Sequence, residues 1–171
     1  AAVAAQHLRD RGLRKVAVLD VDFHHGNGTQ AIFYDRSDVL FLSLHGDPMH
    51  AFPHFLGHAD EIGNGEGEGF NFNYPMPAGT SFVEWNNCLR SALDQIAKFG
   101  ADAVIISLGV DTFERDPISF FKLTSPDFIK MGASIASLGL PTLFVMEGGY
   151  AVEEIGINTV NVLMGFKEKE T

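Results

Sequence analysis

The stretch Leu19-Asp20-Val21-Asp22-Phe23-His24-His25-Gly26-Asn27-Gly28 decides the fold, because an apolar run ends there in carboxylates, imidazoles and glycines. The preceding apolar residues 16–19 predict a buried strand that delivers this polar cluster to one edge of a sheet. Asp22 and His24 are two residues apart, so in extended backbone their side chains point to the same side. A carboxylate oxygen and an imidazole nitrogen that converge in this way indicate a site for a zinc-type ion.

A second interpretation of the same residues needs no metal. An Asp at the end of a strand is commonly a helix cap or a turn former, and a His-His pair is commonly part of a solvated loop. The pattern Asp-x-His alone leaves both interpretations open, so the remainder of the chain has to decide between them.

Composition and charge exclude several classes of protein. A chain of 171 residues that is 46% hydrophobic can bury one sizeable core, so residues 1–171 are predicted to form one domain. A net charge of -10 with only 12 Lys and Arg argues against nucleic acid as a partner and would suit a cationic small substrate. No apolar run reaches the roughly 18 residues of a membrane span. Since the single cysteine, Cys88, is compatible with a reducing compartment, we expect a cytoplasmic protein without a membrane partner.

Hydrophobic periodicity predicts alternating helices and strands. The predicted helices span residues 1–11, 27–35, 81–99, 125–138 and 152–164, the second of them capped by Asn27. The predicted buried strands span residues 15–21, 39–44, 103–108 and 142–146, and residues 46–77 are predicted to be irregular. Strands that are separated by helices imply an α/β fold, a three-layer α/β/α domain with a parallel sheet.

Polar residues follow every predicted strand. After the first strand come Asp22 and His24, the second ends in Ser43-Leu44-His45, the third empties into Asp111, and the fourth ends in Glu147-Gly148-Gly149-Tyr150. In open parallel sheets the ligand site forms outside the carboxyl ends of the strands. This coincidence favours the metal site over the cap and the solvated loop.

Four ordered motifs resemble the zinc-dependent histone deacetylase family. They are residues 20–30 (DVDFHHGNGTQ), 43–45 (SLH), 108–112 (LGVDT) and 147–150 (EGGY). Residues 52–57 and 111–127 are similar, more narrowly, to the bacterial acetylpolyamine amidohydrolases. The resemblance implies an arginase/deacetylase-like fold and a zinc-dependent amidohydrolase that removes acetyl groups from small acetylated amines, most closely acetylpolyamines. It also implies a homo-oligomer.

The resemblance assigns zinc to Asp22, His24 and Asp111, and three protein ligands leave coordination positions open for water and the substrate carbonyl. It implies that Tyr150 stabilises the oxyanion, where the alternative is a buried Tyr with a structural role. The other catalytic and substrate-binding residues that it implies are Asp20, Asn27, Phe52 and Gly148, and core packing is the alternative for Phe52.

Two monovalent cation sites, for potassium, follow from the same resemblance. The first would be formed by Asp20, Ser43 and the backbone carbonyls of Asp22, His24 and Leu44. The second would use the main-chain oxygens of Phe33, Arg36, Val39 and Tyr74.

One feature of the family has no counterpart in this sequence. Family members carry a His-His pair upstream of the zinc motif, which activates the water and is hydrogen-bonded by the residues at positions 20 and 27, and residues 1–15 contain nothing similar. His24 and His25 cannot replace this pair, because His24 is an implied ligand. We therefore expect the C-terminal portion of a deacetylase domain, truncated on its N-terminal side and inactive alone. A protein acetyl-lysine deacetylase and a non-catalytic metal-binding module are the alternatives.

Overall fold

The computed structural model describes residues 1–168, and its elements alternate between helices and strands. The helices are α1 (Ala2–Asp10), α2 (Asn27–Phe33), α3 (Phe82–Phe99), α4 (Ser125–Ala136) and α5 (Ile155–Glu168). The strands are β1 (Val16–Asp20), β2 (Val39–Gly46), β3 (Asn71–Met76), β4 (Ala103–Leu108) and β5 (Thr142–Met146).

The five strands form one parallel sheet in the order β3-β2-β1-β4-β5. The chain runs outward from β1 through β2 to β3, and then returns to place β4 on the other side of β1. The strand order therefore reverses between β1 and β4, where the carboxyl ends of an open parallel sheet leave a ligand-binding crevice. Asp22 follows β1 and Asp111 follows β4, so the topology brings these two distant residues to the same crevice.

Helices cover both faces of the sheet, which confirms the three-layer arrangement. Val16 and Val18 of β1 pack with Ala5 of α1 and Phe33 of α2 on one face. The alternate residues of the same strand, Ala17 and Leu19, belong to the larger core that α3, α4 and α5 form on the other face. This alternation is the period of two that a strand imposes on its side chains.

The ends of α3 follow local sequence signals. Ser81 and Glu84 form a reciprocal capping box at its start, and Gly100 ends it in the left-handed conformation at φ +70°. The predicted cap of α2 is wrong in detail, because Gly26 is the N-cap residue and Asn27 is the first helical residue.

Two predictions about strands need correction. The segment 46–77 is not irregular throughout, since it contains β3, an edge strand whose Asn71 and Asn73 are buried polar residues. Its polar buried face and Pro75 hide the strand from hydrophobic periodicity, and proline is tolerated there because β3 has a neighbour on one side only. Strand β5 is not buried either: it is the other edge, and Leu143 is 44% exposed.

Within residues 1–168, no helix combines the length and the apolar character that crossing a bilayer requires.

Candidate metal centre and cavity

Asp22, His24 and Asp111 meet at the crevice between β1 and β4. Their potential ligand atoms all lie within 4.8 Å of one another. The Nδ1 atom of His24 is 3.1 Å from Oδ2 of Asp111 and 3.3 Å from Oδ1 of Asp22. Asp111 is fully buried, and Asp22 is 9% exposed. The sequence thus predicted which side chains converge, although their binding of a metal ion stays a prediction.

Backbone amides orient the two carboxylates. His24 N donates to Asp22 Oδ1 at 2.8 Å, and Phe23 N donates to Asp111 Oδ1 at 2.8 Å. Gly148 N, on the turn after β5, donates to Asp22 Oδ2 at 2.8 Å. Because three separate chain segments contribute, the cluster depends on the packing of β1, β4 and β5 together.

The charges of this cluster favour a bound cation. Burial, together with the neighbouring Asp22, raises the pKa of Asp20 well above its usual value, and burial raises the pKa of Asp111 to about 6. Burial alone would lower the pKa of His24, but the carboxylates of Asp111 and Asp22 outweigh it and raise that pKa to about 9. Among residues 1–168, neither Lys nor Arg forms an ion pair with these three carboxylates. An Asp-His-Asp donor set in such an acidic pocket fits a divalent ion.

The turn that carries Tyr150 lies against the cluster. A Cβ atom at Gly148 would be 2.4 Å from Asp22 Oδ2 and 2.7 Å from Asp111 Oδ2, so the close approach requires glycine. The Tyr150 side chain is 48% exposed. Burial and the nearby Asp111 and Asp22 carboxylates raise the pKa of its phenol, which keeps the hydroxyl protonated and able to donate at neutral pH.

A cavity of about 610 Å³ opens beside the cluster. Six of the predicted site residues line it: Asp20, Asp22, His24, Phe52, Gly148 and Tyr150. Phe52 is 61% exposed, so the core-packing alternative for this residue is wrong. Asn27 does not line the cavity, although its neighbours Gly26 and Gly28 do.

Eight further residues that line the cavity had no predicted role in the site: His25, Gly26, Gly28, Thr29, Ser107, Ile118, Met146 and Glu147. Three of them lie at the carboxyl ends of β4 and β5, so the strand-end rule could have found them. Ile118 lies in the irregular segment after Asp111 and carries no local signal.

The predicted first monovalent site has consistent geometry. Asp20 of β1 lies opposite Ser43 of β2 in the sheet register. The Nε2 atom of His45 lies 2.9 Å from the carbonyl oxygen of Gly57, which only accepts, so Nε2 carries the proton. The Nδ1 atom then accepts from Ser43 Oγ at 2.9 Å, which leaves the lone pairs of that hydroxyl free for a cation.

The predicted second monovalent site is wrong for Tyr74. Tyr74 pairs with Leu44, which is five residues along β2 from Val39. At roughly 3.3 Å per residue that separation is about 16 Å, too far for the two main-chain oxygens to share one ion. Phe33 and Arg36 lie near the Val39 end of β2, because they belong to the connection from α2 to β2. In this connection Arg36 N donates to the Phe33 carbonyl oxygen.

A buried polar network around Gln30 was not predicted from the sequence. Gln30 Oε1 accepts from His25 Nε2 at 3.0 Å, from Asn71 Nδ2 at 3.0 Å and from Asn73 Nδ2 at 2.8 Å. Gln30 Nε2 donates to Glu61 Oε2 at 2.5 Å. Through Glu61, the network attaches the segment after Phe52 both to α2 and to β3. Asn71 and Asn73, two residues apart, were the available signal for a strand with a polar buried face.

The chain is similar over nearly its whole length to known proteins. A model of the histone deacetylase domain matches residues 1–165. The chain is 65% identical over 165 residues to an acetylpolyamine amidohydrolase of Mycoplana ramosa, which covers 96% of the chain and 48% of the relative. It is also 65% identical over 167 residues to acetylpolyamine amidohydrolase 2 of Pseudomonas aeruginosa, with 98% of the chain and 48% of the relative covered.

The crystal structure of an acetylpolyamine aminohydrolase from Burkholderia pseudomallei superposes with a TM-score of 0.96 at 45% identity, over 98% of this chain and 49% of that one. The arginase/deacetylase-like fold is thus confirmed. The chain spans about half the length of the curated relatives it matches. Because the domain model covers residues 1–165 and the relatives cover nearly the whole chain, the protein belongs to the histone deacetylase family.

Proposed function

We propose that residues 1–171 supply the metal centre and one part of the substrate cavity of a zinc-dependent acetylpolyamine amidohydrolase. The single observation that carries this proposal is the convergence of Asp22 and His24, which line the cavity together with Tyr150, on the buried carboxylate of Asp111. The similarity to acetylpolyamine amidohydrolases over nearly all of the chain supports the substrate class. Activity and substrate choice are proposals for the whole polypeptide, of which these residues contribute one portion of a catalytic domain.

In this proposal Asp22, His24 and Asp111 hold zinc, which supplies Lewis acidity for the amide carbonyl and lowers the pKa of a water molecule. Tyr150 donates a hydrogen bond to the substrate oxygen as that oxygen gains negative charge. Phe52, at the rim of the cavity, provides an apolar wall for the acyl chain. Potassium at the Asp20 and Ser43 site would compensate the buried carboxylates behind the zinc ligands.

The proton carriers of the reaction are proposed to lie outside residues 1–171. Among the described residues that line the cavity, the imidazoles are those of His24 and His25. His24 is a proposed ligand. The Nε2 atom of His25 donates to Gln30, and its Nδ1 atom, which could accept a proton, is buried away from the cavity solvent. We therefore assign the general base to a His-His pair in a preceding segment, with Asp20 and Asn27 as its hydrogen-bond partners.

Acetate release by the whole polypeptide, as its gene encodes it, tests the proposal. N-acetylputrescine and an acetyl-lysine peptide of matched acetyl concentration are compared with zinc and potassium present, and Tyr150→Phe is the control for the active site. Preference for N-acetylputrescine, with kcat reduced by about 10²- to 10³-fold in Tyr150→Phe, is expected. Preference for the peptide would instead identify a protein deacetylase. Zinc binding without release of acetate from either substrate would identify a non-catalytic module.

A further inference from the structure

Asp116 connects two segments that line the cavity. It is 5% exposed and lies in the irregular segment between Asp111 and α4. Its Oδ2 atom accepts from the backbone amides of Tyr150 at 2.7 Å and Ala151 at 3.2 Å. Its Oδ1 atom accepts from the backbone amide of Ile118 at 3.1 Å. Both Tyr150 and Ile118 line the cavity, so one buried carboxylate fixes the main chain of two of its walls.

The chemistry of Asp116 is unusual for a buried carboxylate. Among residues 1–168, neither Lys nor Arg forms an ion pair with it. Three backbone N–H groups compensate its burial instead, and hydrogen bonds to a charged acceptor are stronger than those between neutral groups. A buried charge that is satisfied only by main-chain donors holds those donors firmly in place.

The turn that carries Tyr150 is consequently held at two points. Gly148 N is bonded to Asp22, a proposed zinc ligand, and Tyr150 N is bonded to Asp116. Between them, Gly149 adopts φ +152°, which an L side chain rarely adopts. The main chain of Tyr150 is therefore fixed relative to the metal cluster, while its half-exposed phenol remains free to face the cavity.

We propose that Asp116 is a positioning residue that holds Tyr150 in register with the proposed metal centre. This inference rests on the proposed function, because it places Tyr150 where it can act on the oxygen of the substrate. Placement of a hydrogen-bond donor strongly affects the rate, since a donor is effective only near the position that the oxyanion will occupy. Loss of Asp116 should therefore lower kcat through Tyr150 and alter KM little.

Asp127 provides a matched control. It is 7% exposed, and its Oδ2 atom accepts from the backbone amide of Thr124 at 2.9 Å in the cap of α4. Asp127 is thus a second buried carboxylate that binds a backbone amide, but it does not line the cavity. Asp127→Ala should lower the melting temperature while kcat stays within about twofold of the wild-type value.

A double-mutant cycle tests the inference in the whole polypeptide. Kinetics on N-acetylputrescine and melting temperatures are measured for Asp116→Ala, Tyr150→Phe, the double variant and Asp127→Ala. Asp116→Ala is expected to lower kcat by at least about 10-fold, and the same change is expected to have almost no further effect when Tyr150 is already Phe. An equal loss of kcat in both backgrounds would overturn the inference, because Asp116 would then act independently of the phenol.

Backbone hydrogen exchange separates this inference from the proposed function. In Asp116→Ala the amides of Tyr150 and Ala151 should lose protection beyond the loss of global stability, whereas in Asp127→Ala they should follow global stability alone. If these two amides are as well protected in Asp116→Ala as in the wild type, the positioning role is overturned. If the wild-type protein releases no acetate from any acetylated amine, the proposed function fails, and the exchange result still decides whether Asp116 positions this turn.

Discussion

Gly148 N donates to Asp22 Oδ2 at 2.8 Å across 126 residues of sequence, and this bond ties the turn before Tyr150 to the carboxylate that follows β1. The contact is close enough that a single methyl group at position 148 would collide with Asp22 and Asp111. The proposed metal ligands and the proposed oxyanion donor are therefore parts of one packed unit. Changes on either side of this contact should affect both.

The double variant Asp111→Ala, His24→Ala should abolish binding of a divalent ion. Wild-type protein is expected to retain about one equivalent of zinc per chain after dialysis, because the three ligand groups already converge. Elemental analysis measures the metal, and Asp94→Ala on the exposed face of α3 is the control. A metal content that is unchanged in the double variant would remove these residues from the site.

Zinc binding should release protons and strengthen as the pH rises. The pKa of His24 is raised to about 9 and that of Asp111 to about 6, so at pH 7 the imidazole carries a proton that the metal must displace. Isothermal titration calorimetry in buffers of different ionisation enthalpy measures the number of protons released. Affinity that is constant between about pH 6 and pH 9 would contradict ligation by His24.

Gly148→Ala should weaken metal binding by at least about 10-fold with little loss of stability, because the new Cβ would displace the carboxylates of Asp22 and Asp111. Gly156→Ala is the matched control, since a Cβ at this position in α5 meets nothing within 4 Å. That control is expected to leave zinc affinity unchanged. Equal zinc affinities for the two variants would argue against a metal site at Gly148.

Acid should destabilise the attachment of α1 through Asp38. Hydrogen bonds from Arg36, and also from Arg9 of α1, lower the pKa of Asp38 to about 2. A lowered folded-state pKa means that this stabilisation is complete above about pH 4 and is lost as the pH falls toward about 2. After allowance for solvent screening it amounts to about 1 kcal/mol.

Urea unfolding at pH 7 and at pH 3 measures this effect. The difference in stability between wild type and Asp38→Asn should shrink by about half of this amount, roughly 0.5 kcal/mol, because pH 3 lies between the unfolded-state and folded-state pKa of Asp38. For Asp94→Asn, a surface substitution in α3, the difference in stability from wild type should be the same at pH 7 and at pH 3. A difference for Asp38→Asn that is the same at both values of pH would show that the ion pairs do not stabilise the fold.

Residues 1–171 alone should self-associate through exposed apolar surface. Strand β5 is an edge of the sheet, and Leu143 and Met146 on it are 44% and 49% exposed. Ile157 and Val160 of α5 are each 54% exposed, so the unpaired strand edge lies beside apolar surface. Sedimentation should show oligomers whose size falls when Val160→Lys and Leu143→Lys are introduced together. A monomer at all concentrations would contradict this prediction.

The sequence by itself determined the elements that local interactions specify. The start of α3 was predictable because the Ser81 and Glu84 capping box acts within one helical turn, and β4 was predictable because residues 103–108 (AVIISL) form a short apolar run. The convergence of Asp22 and His24 was predicted from the period of two in extended backbone, but the two residues lie in a bend after β1, where His24 N donates to Asp22 Oδ1. Asp111 was predicted to join them because it follows another buried strand and lies in one of the family motifs.

Only the tertiary structure decided features that depend on strand order and long-range packing. Strand β3 was missed because its buried residues Asn71 and Asn73 are satisfied by Gln30, a partner more than forty positions away that no local pattern specifies. Tyr74 could not be excluded from a shared cation site until the register of β2 and β3 was known. Asp116 reads in sequence as an ordinary turn residue, and only the fold of β4 and β5 brings its carboxylate to the amide of Tyr150.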